Sequence, residues 1–325
     1  MSLTVRRDDA GLRAGIERWL GRAVGEIARP PAGFSCETLL IDRELVVRLP
    51  PLGEGIFPTY DLEQQAKVQA AVGAAGVAVA GPATYEEDES FLGAPFVSMP
   101  FVEGAIPSDF TPTDPWLTGL PDDTERRSVW EAYVDTIVAI HGAEAEGLGL
   151  RAGLAAELDE WDRYVRWSTD GSPPSLLVES LEWCRASAPG DEPAAGVLWG
   201  DVRLGNIVFD EDLLAPRAVL DWDMASVGPI EMDLAWTLAL EQVQADLTHM
   251  EVPGFGTRDE AIARVEAGIG RELQDLHWYE VFALLRASAI STRIAVLHQR
   301  AGQRSMFKIG EDPTLAAAVR LIEAS

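Results

Sequence analysis

Residues 197–210 read Val-Leu-Trp-Gly-Asp-Val-Arg-Leu-Gly-Asn-Ile-Val-Phe-Asp, and residues 218–223 read Ala-Val-Leu-Asp-Trp-Asp. Two short apolar runs, Ile207–Phe209 and Ala218–Leu220, flank a polar turn, which is the pattern of a β-hairpin. Asp201 and Asn206 lie in the loop before the first strand, and Asp221 follows the second. Antiparallel pairing returns the end of the second strand to the start of the first. The spacing therefore predicts that Asp201, Asn206 and Asp221 converge.

Oxygen groups of this kind suit a hard cation such as Mg2+, which takes one or two protein ligands and completes its shell with water and phosphate. They are also the parts that phosphoryl transfer requires. One Asp takes the proton of an acceptor hydroxyl, an Asn five residues on holds metal, and a later Asp bridges metal to the phosphates.

The elements around this island are readable from pattern. Thr38–Leu49 reads as a hairpin, with Leu39-Leu40-Ile41 and Leu45-Val46-Val47 flanking the turn Asp42-Arg43-Glu44, and with Pro50 and Pro51 ending it. The spacing predicts a helix over 61–72 with Asp61 as N-cap, and an extended run over 94–102. Residues 107–123 read as a Pro/Asp/Thr-rich loop. Helical periodicity follows at Trp130, Val134, Ile137 and His141, again at Trp161, Tyr164, Val165 and Ser168, over 177–185, and through the last hundred residues. The first hundred residues thus read as a small sheet plus one helix, and the remainder as mostly helical with the β-rich island inside it. No internal repeat is evident.

Composition narrows the function classes. The 325 residues carry 26 Lys+Arg against 53 Asp+Glu, a formal charge of −27, with 47% hydrophobic and 24% charged residues. That describes one or two globular domains with a sizeable core. The acidic balance argues against nucleic acid or an anionic membrane as partner, because phosphate attracts clustered Lys and Arg. Two cysteines and four histidines exclude a disulfide framework and a Cys-rich zinc site. The most apolar stretch is read as 68–83, which is too short to span a bilayer. Arg6, Arg7, Asp8 and Asp9 stand where a signal peptide needs its apolar run, so a soluble cytoplasmic protein is expected. Only two lysines occur, Lys67 and Lys308, and one asparagine, Asn206.

Asp201-x-x-x-x-Asn206 followed by Asp221-Trp222-Asp223 resembles the catalytic and metal-binding segments of the aminoglycoside phosphotransferase family, kinase-like enzymes that modify small molecules. Val227-Gly-Pro-Ile-Glu-Met-Asp-Leu-Ala235 is similar to that family's segment after the metal Asp. The branch it most resembles is the kinase-like domain fused to some acyl-CoA dehydrogenases. The resemblance extends from about Ile27 to His298 and is sharp only in the island, where the single Asn of the chain occupies the required position.

This resemblance implies an α+β, two-lobed protein-kinase-like fold, with a small β-rich nucleotide-binding lobe over 1–103 and a larger, mainly helical lobe over 104–325. ATP or GTP would bind between them with Mg2+, and a small-molecule hydroxyl would be the acceptor, whether of an aminoglycoside, another alcohol or a hydroxyacyl compound. Asp201 would be the catalytic base, and Asn206 and Asp221 the metal ligands. Arg48, on the strand 45–49, takes the position of the usual phosphate-binding Lys, since neither lysine lies there, and its helix partner would be Glu63. Ser35, in the turn 33–38, would hold phosphate oxygens. Met99-Pro100-Phe101 would lie beside adenine, with Phe101 as backbone donor because Pro100 has no N–H. Arg203 would either neutralise the transferred phosphate or pair with an acidic neighbour.

Trp199 departs from the family's usual His, whose role is architectural. Asp223 would support the metal site and Asp233 would cap or brace the helix that follows. His141 is expected to be packed and not catalytic, and Trp161, Trp167 and Trp183 to belong to the core. Arg48, Trp199 and the glycine-poor turn keep open a second reading, a kinase-like module that binds nucleotide or ligand without transfer.

Overall fold

The structure, a computed structural model, describes residues 6–30, 35–190 and 194–325. Its N-terminal part holds two helices, α1 (Asp9–Leu20) and α2 (Leu62–Ala74), and five strands: β1 (Ile27–Ala28), β2 (Glu37–Ile41), β3 (Leu45–Leu49), β4 (Thr84–Glu86) and β5 (Phe96–Pro100). All pairs are antiparallel, in the spatial order β1-β2-β3-β5-β4. The expected hairpin is β2–β3, in register Ile41↔Leu45. Its turn residues Asp42 and Arg43 both have positive φ, the geometry that matches strand twist. The expected helix is α2, with Asp61 accepting from the Gln64 N–H at 2.9 Å.

One element is added to the sequence reading. The first hundred residues contain two helices, because α1 forms over 9–20 between an Asp8 N-cap and a left-handed Gly21. Its apolar stripe is narrow. Leu12 and Ile16 are buried with Leu39, Ile41, Val47, Leu49 and Phe96 on one face of the sheet, and the Trp19 ring meets Phe96 edge-on at 4.9 Å. Each such buried side chain contributes roughly 1.5–3 kcal/mol.

The opposite face of β5 presents Val97 and Met99, which pack with Leu62 of α2 and with Val208 and Ala218. Those last two belong to the predicted second hairpin, β7 (Ile207–Phe209) and β8 (Pro216–Val219), in register Ile207↔Val219, which follows β6 (Ala195–Leu198). Both edges of this hairpin are covered by earlier segments. Val219 N–H donates to the Ala78 carbonyl at 2.9 Å, while Ala105 and Phe209 exchange two hydrogen bonds of 2.9 and 2.8 Å. β6 pairs with β9 (Ser226–Pro229), so the island is two small antiparallel sheets.

The remaining helices are α3 (Pro115–Gly119), α4 (Asp123–His141), α5 (Leu154–Ser168), α6 (Ser175–Ala186), α7 (Glu231–Thr248), α8 (Arg258–Ile269), α9 (Leu276–Arg300) and α10 (Pro313–Glu323). The stretch 107–123, expected as loop, contains α3. There Asp114 caps the helix by accepting from Leu117 N–H at 2.8 Å, and Pro115 sits at a first-turn position. α9 runs through the centre of the helical part and packs against α5, α6, α7 and α10. Among the described residues it is the one helix long and apolar enough to cross a membrane, and 78% of its apolar window is buried inside the protein. The connection from β3 to α2 is tied to the helical part, with Arg293 Nε donating to the Gly55 carbonyl at 3.0 Å and the Tyr164 hydroxyl to the Ile56 carbonyl at 2.8 Å.

His141 ends α4 against β6, where the built Cβ of Gly196 would lie 2.1 Å from the His141 carbonyl. It is a half-buried, packed histidine, and burial lowers its pKa below the ordinary value. The unfolded chain then binds a proton more readily than the folded one, so this group withdraws stability as pH falls below its unfolded pKa, about 6.5. His141→Gln removes that contribution. Lowering the pH from 7.5 to 5.5 should depress the thermal unfolding midpoint of the wild type more than that of the variant. Equal shifts would mean that His141 does not titrate with folding.

Candidate functional site

β6 delivers the chain to Trp199-Gly200-Asp201. Gly200 has φ +88°, and a Cβ there would sit 2.3 Å from the Met224 carbonyl, so the tight approach needs glycine. The loop is held from beneath by Asp233 in the first turn of α7. Its carboxylate accepts from the N–H groups of Trp199 at 2.7 Å and Gly200 at 2.9 Å. Burial pushes the Asp233 carboxyl up to about 6, against the pull of these two N–H groups. Asp233 thus braces the loop that carries Asp201; the expected cap on its own helix is not formed, since α7 has no side-chain cap hydrogen bond among the described residues.

Asp201 is held by two neighbours. Arg203 donates from Nε to both carboxylate oxygens at 2.9 and 3.0 Å and from Nη2 to Oδ2 at 2.8 Å. Asn206, buried in the turn 204–206, donates from Nδ2 to the Asp201 carbonyl at 3.0 Å and to Oδ2 at 2.9 Å. Of the two readings of Arg203, pairing with acidic neighbours is what the structure contains, since its Nη1 also reaches Asp109. The Leu220 N–H donates to the Asn206 carbonyl at 2.8 Å. That bond carries the hairpin ladder one step further and sets Asp221 beside the loop.

Asp221 has φ +63°, a left-handed conformation that Asp tolerates better than most non-glycine residues. Burial and the adjacent Asp223 charge push its carboxyl up, while Arg48 and Arg203 pull it down. Trp199 supports this turn. Its indole N–H donates to the carbonyls of Leu220 at 2.8 Å and Asp221 at 3.1 Å. The variant residue therefore does the architectural work expected of the position it fills.

Arg48, on β3, turns toward the same place, 3.0 Å from Asp223 Oδ2 and 3.6 Å from Asp221 Oδ1. Two expectations are corrected here. Glu63 is not its partner; it lies on the outer side of α2, half-exposed and ion-paired with Lys67 at 2.7 Å. The α2 residue that faces Arg48 is Gln65, whose Oε1 accepts from Arg48 Nη1 at 3.2 Å. The signal was present in the sequence, because Gln65 falls on the buried stripe Leu62, Gln65, Val68, Gln69 and Val72. A search for a carboxylate passes over it.

Phe101 is the second correction. Its N–H donates to the Glu44 carbonyl at 2.8 Å, extending the β3–β5 ladder, so it is not free for a base. Successive amides of an extended strand point to opposite edges, and the next donor along, Val102 N–H, has no partner among the described residues. Met99 lies on β5, buried, with its side chain toward the hairpin. Of the turn 33–38, Gly33 and Phe34 lie outside the described residues. Ser35 is described, and its hydroxyl donates to Asp223 Oδ2 at 2.6 Å.

For a metal ion, the donors present fit a hard cation. Asn206 spends its amide N–H groups on Asp201, leaving Oδ1 with only a 3.4 Å contact to Arg203, and Asp221 supplies a carboxylate. Among the described residues no cluster of three or more His, Cys, Asp or Glu forms a cage. An oxygen pair completed by water and phosphate is the pattern of Mg2+.

The sequence profile of the Phosphotransferase enzyme family matches residues 26–273. The chain belongs to that family. Among curated proteins it is 29% identical over 218 residues to acyl-CoA dehydrogenase family member 11 of Homo sapiens, covering 64% of this chain and 27% of that protein. It is 24% identical over 295 residues to the probable acyl-CoA dehydrogenase IBR3 of Arabidopsis thaliana, covering 81% and 35%. The chain thus spans about a third of the length of these relatives.

Among solved structures, a candidate aminoglycoside phosphotransferase of Ralstonia eutropha superposes with TM-score 0.70 at 20% identity over 98% of this chain and 99% of the other. A choline/ethanolamine kinase family protein of Mesorhizobium loti gives 0.60 at 13% over 97% and 94%. The GDP and kanamycin complex of an aminoglycoside 2″-phosphotransferase gives 0.58 at 14% over 96% of each. These likenesses establish the kinase-like fold of this family member.

Trp199→Phe keeps the ring and deletes the N–H that holds the Leu220 and Asp221 carbonyls. It should cost about 1–3 kcal/mol in urea unfolding, the penalty for buried polar groups left without a partner, and Trp199→His should recover part of it. A Phe variant as stable as the wild type would reduce the indole to a space-filler.

Proposed function

We propose that this family member transfers the γ-phosphoryl group of ATP or GTP to a hydroxyl of a small molecule, with Mg2+ as cofactor. The observation that carries this reading is the gathering of Asp201, Asn206 and Asp221 at one end of a single hairpin, facing Arg48. Membership of the phosphotransferase family and its likeness to aminoglycoside phosphotransferase and choline/ethanolamine kinase structures support it. In this reading residues 1–103 form the nucleotide lobe and 104–325 the catalytic and acceptor lobe.

Asp201 acts as the base. Arg203 and Asn206 occupy part of its oxygen lone pairs and fix the carboxylate plane. A carboxylate has about four acceptor sites, so a place remains for the acceptor hydroxyl. As that hydroxyl oxygen bonds to the γ-phosphorus, Asp201 takes its proton and the bond from phosphorus to the bridging oxygen breaks, releasing the nucleoside diphosphate. Asn206 Oδ1 and Asp221 would hold Mg2+, which supplies charge neutralisation on the phosphates. Arg48 clamps the phosphate oxygens and Val102 N–H meets the base edge. Most of the rate enhancement is positioning and electrostatics.

A nucleotide- or ligand-binding module without transfer is the second reading, favoured by the neutral Gln65 facing Arg48. Steady-state turnover across a panel of hydroxyl acceptors separates the two. Asp201→Asn should lower kcat by about 10²–10⁴ and leave nucleotide affinity unchanged. An unaffected rate would remove Asp201 from the chemistry. Wild-type protein that binds nucleotide and phosphorylates nothing in the panel would favour the binding module.

A further inference from the structure

The group of side chains around Arg48 is more than a phosphate clamp. Asp223 is nearly inaccessible, its side chain 4% exposed. It accepts from three groups of the N-terminal part: the Ser35 hydroxyl at 2.6 Å, the Arg48 guanidinium at 3.0 Å and the Gln65 amide. Gln65 turns its carbonyl oxygen to Arg48 Nη1 at 3.2 Å. Arg48, Gln65 and Asp223 therefore close a ring, with the amide binding both ions.

A buried guanidinium has to be balanced by an anion, and α2 does not provide one. Glu63 is committed to Lys67 on the outer side of the helix. The Cys36 thiol beside the cluster is pushed up to about 12 by burial and stays neutral. Among the described residues the anions facing Arg48 are Asp223 and Asp221, both from beyond the hairpin.

We propose that Asp223 is the counter-ion that positions Arg48 for the nucleotide phosphates, a task carried across the cleft because α2 supplies Gln65 in place of a carboxylate. This rests on the phosphotransferase reading of the site. It divides the labour of two carboxylates two residues apart. Asp223 is spent on Arg48, Gln65 and Ser35. Asp221, 29% exposed and 3.6 Å from the guanidinium, keeps oxygen available to a metal. Without Asp223 the nearest carboxylate to Arg48 is Asp221, and the clamp folds onto the metal ligand. Asp223 is a positioning residue, acting through Arg48.

The test is calorimetric binding of ATP and GTP, each with Mg2+ and in EDTA, to the wild type, Asp223→Asn, and the double variant Gln65→Glu/Asp223→Asn. The double variant moves the carboxylate to the other side of the same ring and preserves net charge. The new glutamate accepts from Arg48 and from the new asparagine. Asp223→Asn should lose about 10- to 100-fold in affinity, the cost of removing a charged hydrogen-bond partner, equally with and without Mg2+. The double variant should return to within about threefold of wild type.

A loss confined to Mg2+-containing samples would make Asp223 a metal ligand and overturn the proposal. So would a double variant no tighter than Asp223→Asn, or an Asp223→Asn that binds tighter than wild type, which would make Asp223 a competitor of the phosphates. Wild type that binds nucleotide alongside an indifferent Asp223→Asn removes this role and leaves the phosphotransferase reading standing. Wild type that binds no nucleotide under either condition removes both.

Discussion

The candidate site depends on a two-strand hairpin whose edges are both closed by backbone pairing. An isolated hairpin of this size is at best marginally stable in water. This one is held because Val219 bonds to Ala78 on one side and Phe209 to Ala105 on the other, with Val208 and Ala218 packed under β5. The loop before it and the turn after it then inherit fixed positions. Asp233 secures the first from below and Trp199 secures the second from the side. Asp201, Asn206 and Asp221 sit on rigid backbone in consequence, which is what charge placement to within a fraction of an ångström requires.

Much of this was legible in the residues. Alternation and turn composition located both hairpins, and an Asx cap with helical spacing located α2. The order of Asp, Asn and Asp around the second hairpin placed the site. What escaped was information that local pattern does not carry. Glu63 was expected opposite Arg48 because it is charged. Helical phase assigns that face to Gln65, and burial of the stripe decided between them. Phe101 was expected to be a free donor because Pro100 has no N–H. The direction of a strand amide, however, depends on which neighbour the strand pairs with, and β3 claims Phe101 through Glu44. The helix α1 has an apolar stripe too narrow to stand out from its Arg and Asp neighbours, and it becomes visible only where the sheet offers Phe96 to cover it.

Charge has a different meaning at the two scales. The chain as a whole is strongly acidic, yet each cation in the site is already bound by carboxylates, Arg203 by Asp201 and Asp109, Arg48 by Asp223 and Asp221. An anionic ligand entering this cleft exchanges one set of oxygen partners for another and does not meet bare positive charge. Exchange of that kind favours ligands of defined geometry over any diffuse attraction for anions.

The tether between β3 and α2 has a mechanical consequence. A body joined to another by one flexible strand can swing about it, but a second attachment confines that rotation to the line through both. Here the N-terminal sheet continues into the hairpin region after β5, and it is also fastened through the carbonyls of Gly55 and Ile56 to Arg293 of α9 and Tyr164 of α5. The two attachments define a line, and twisting of the sheet out of that line would have to break the bonds to Gly55 or Ile56, whereas rotation about it strains neither. The chain section from 50 to 61 is thus one end of an axle for the sheet, and the connection after β5 is the other.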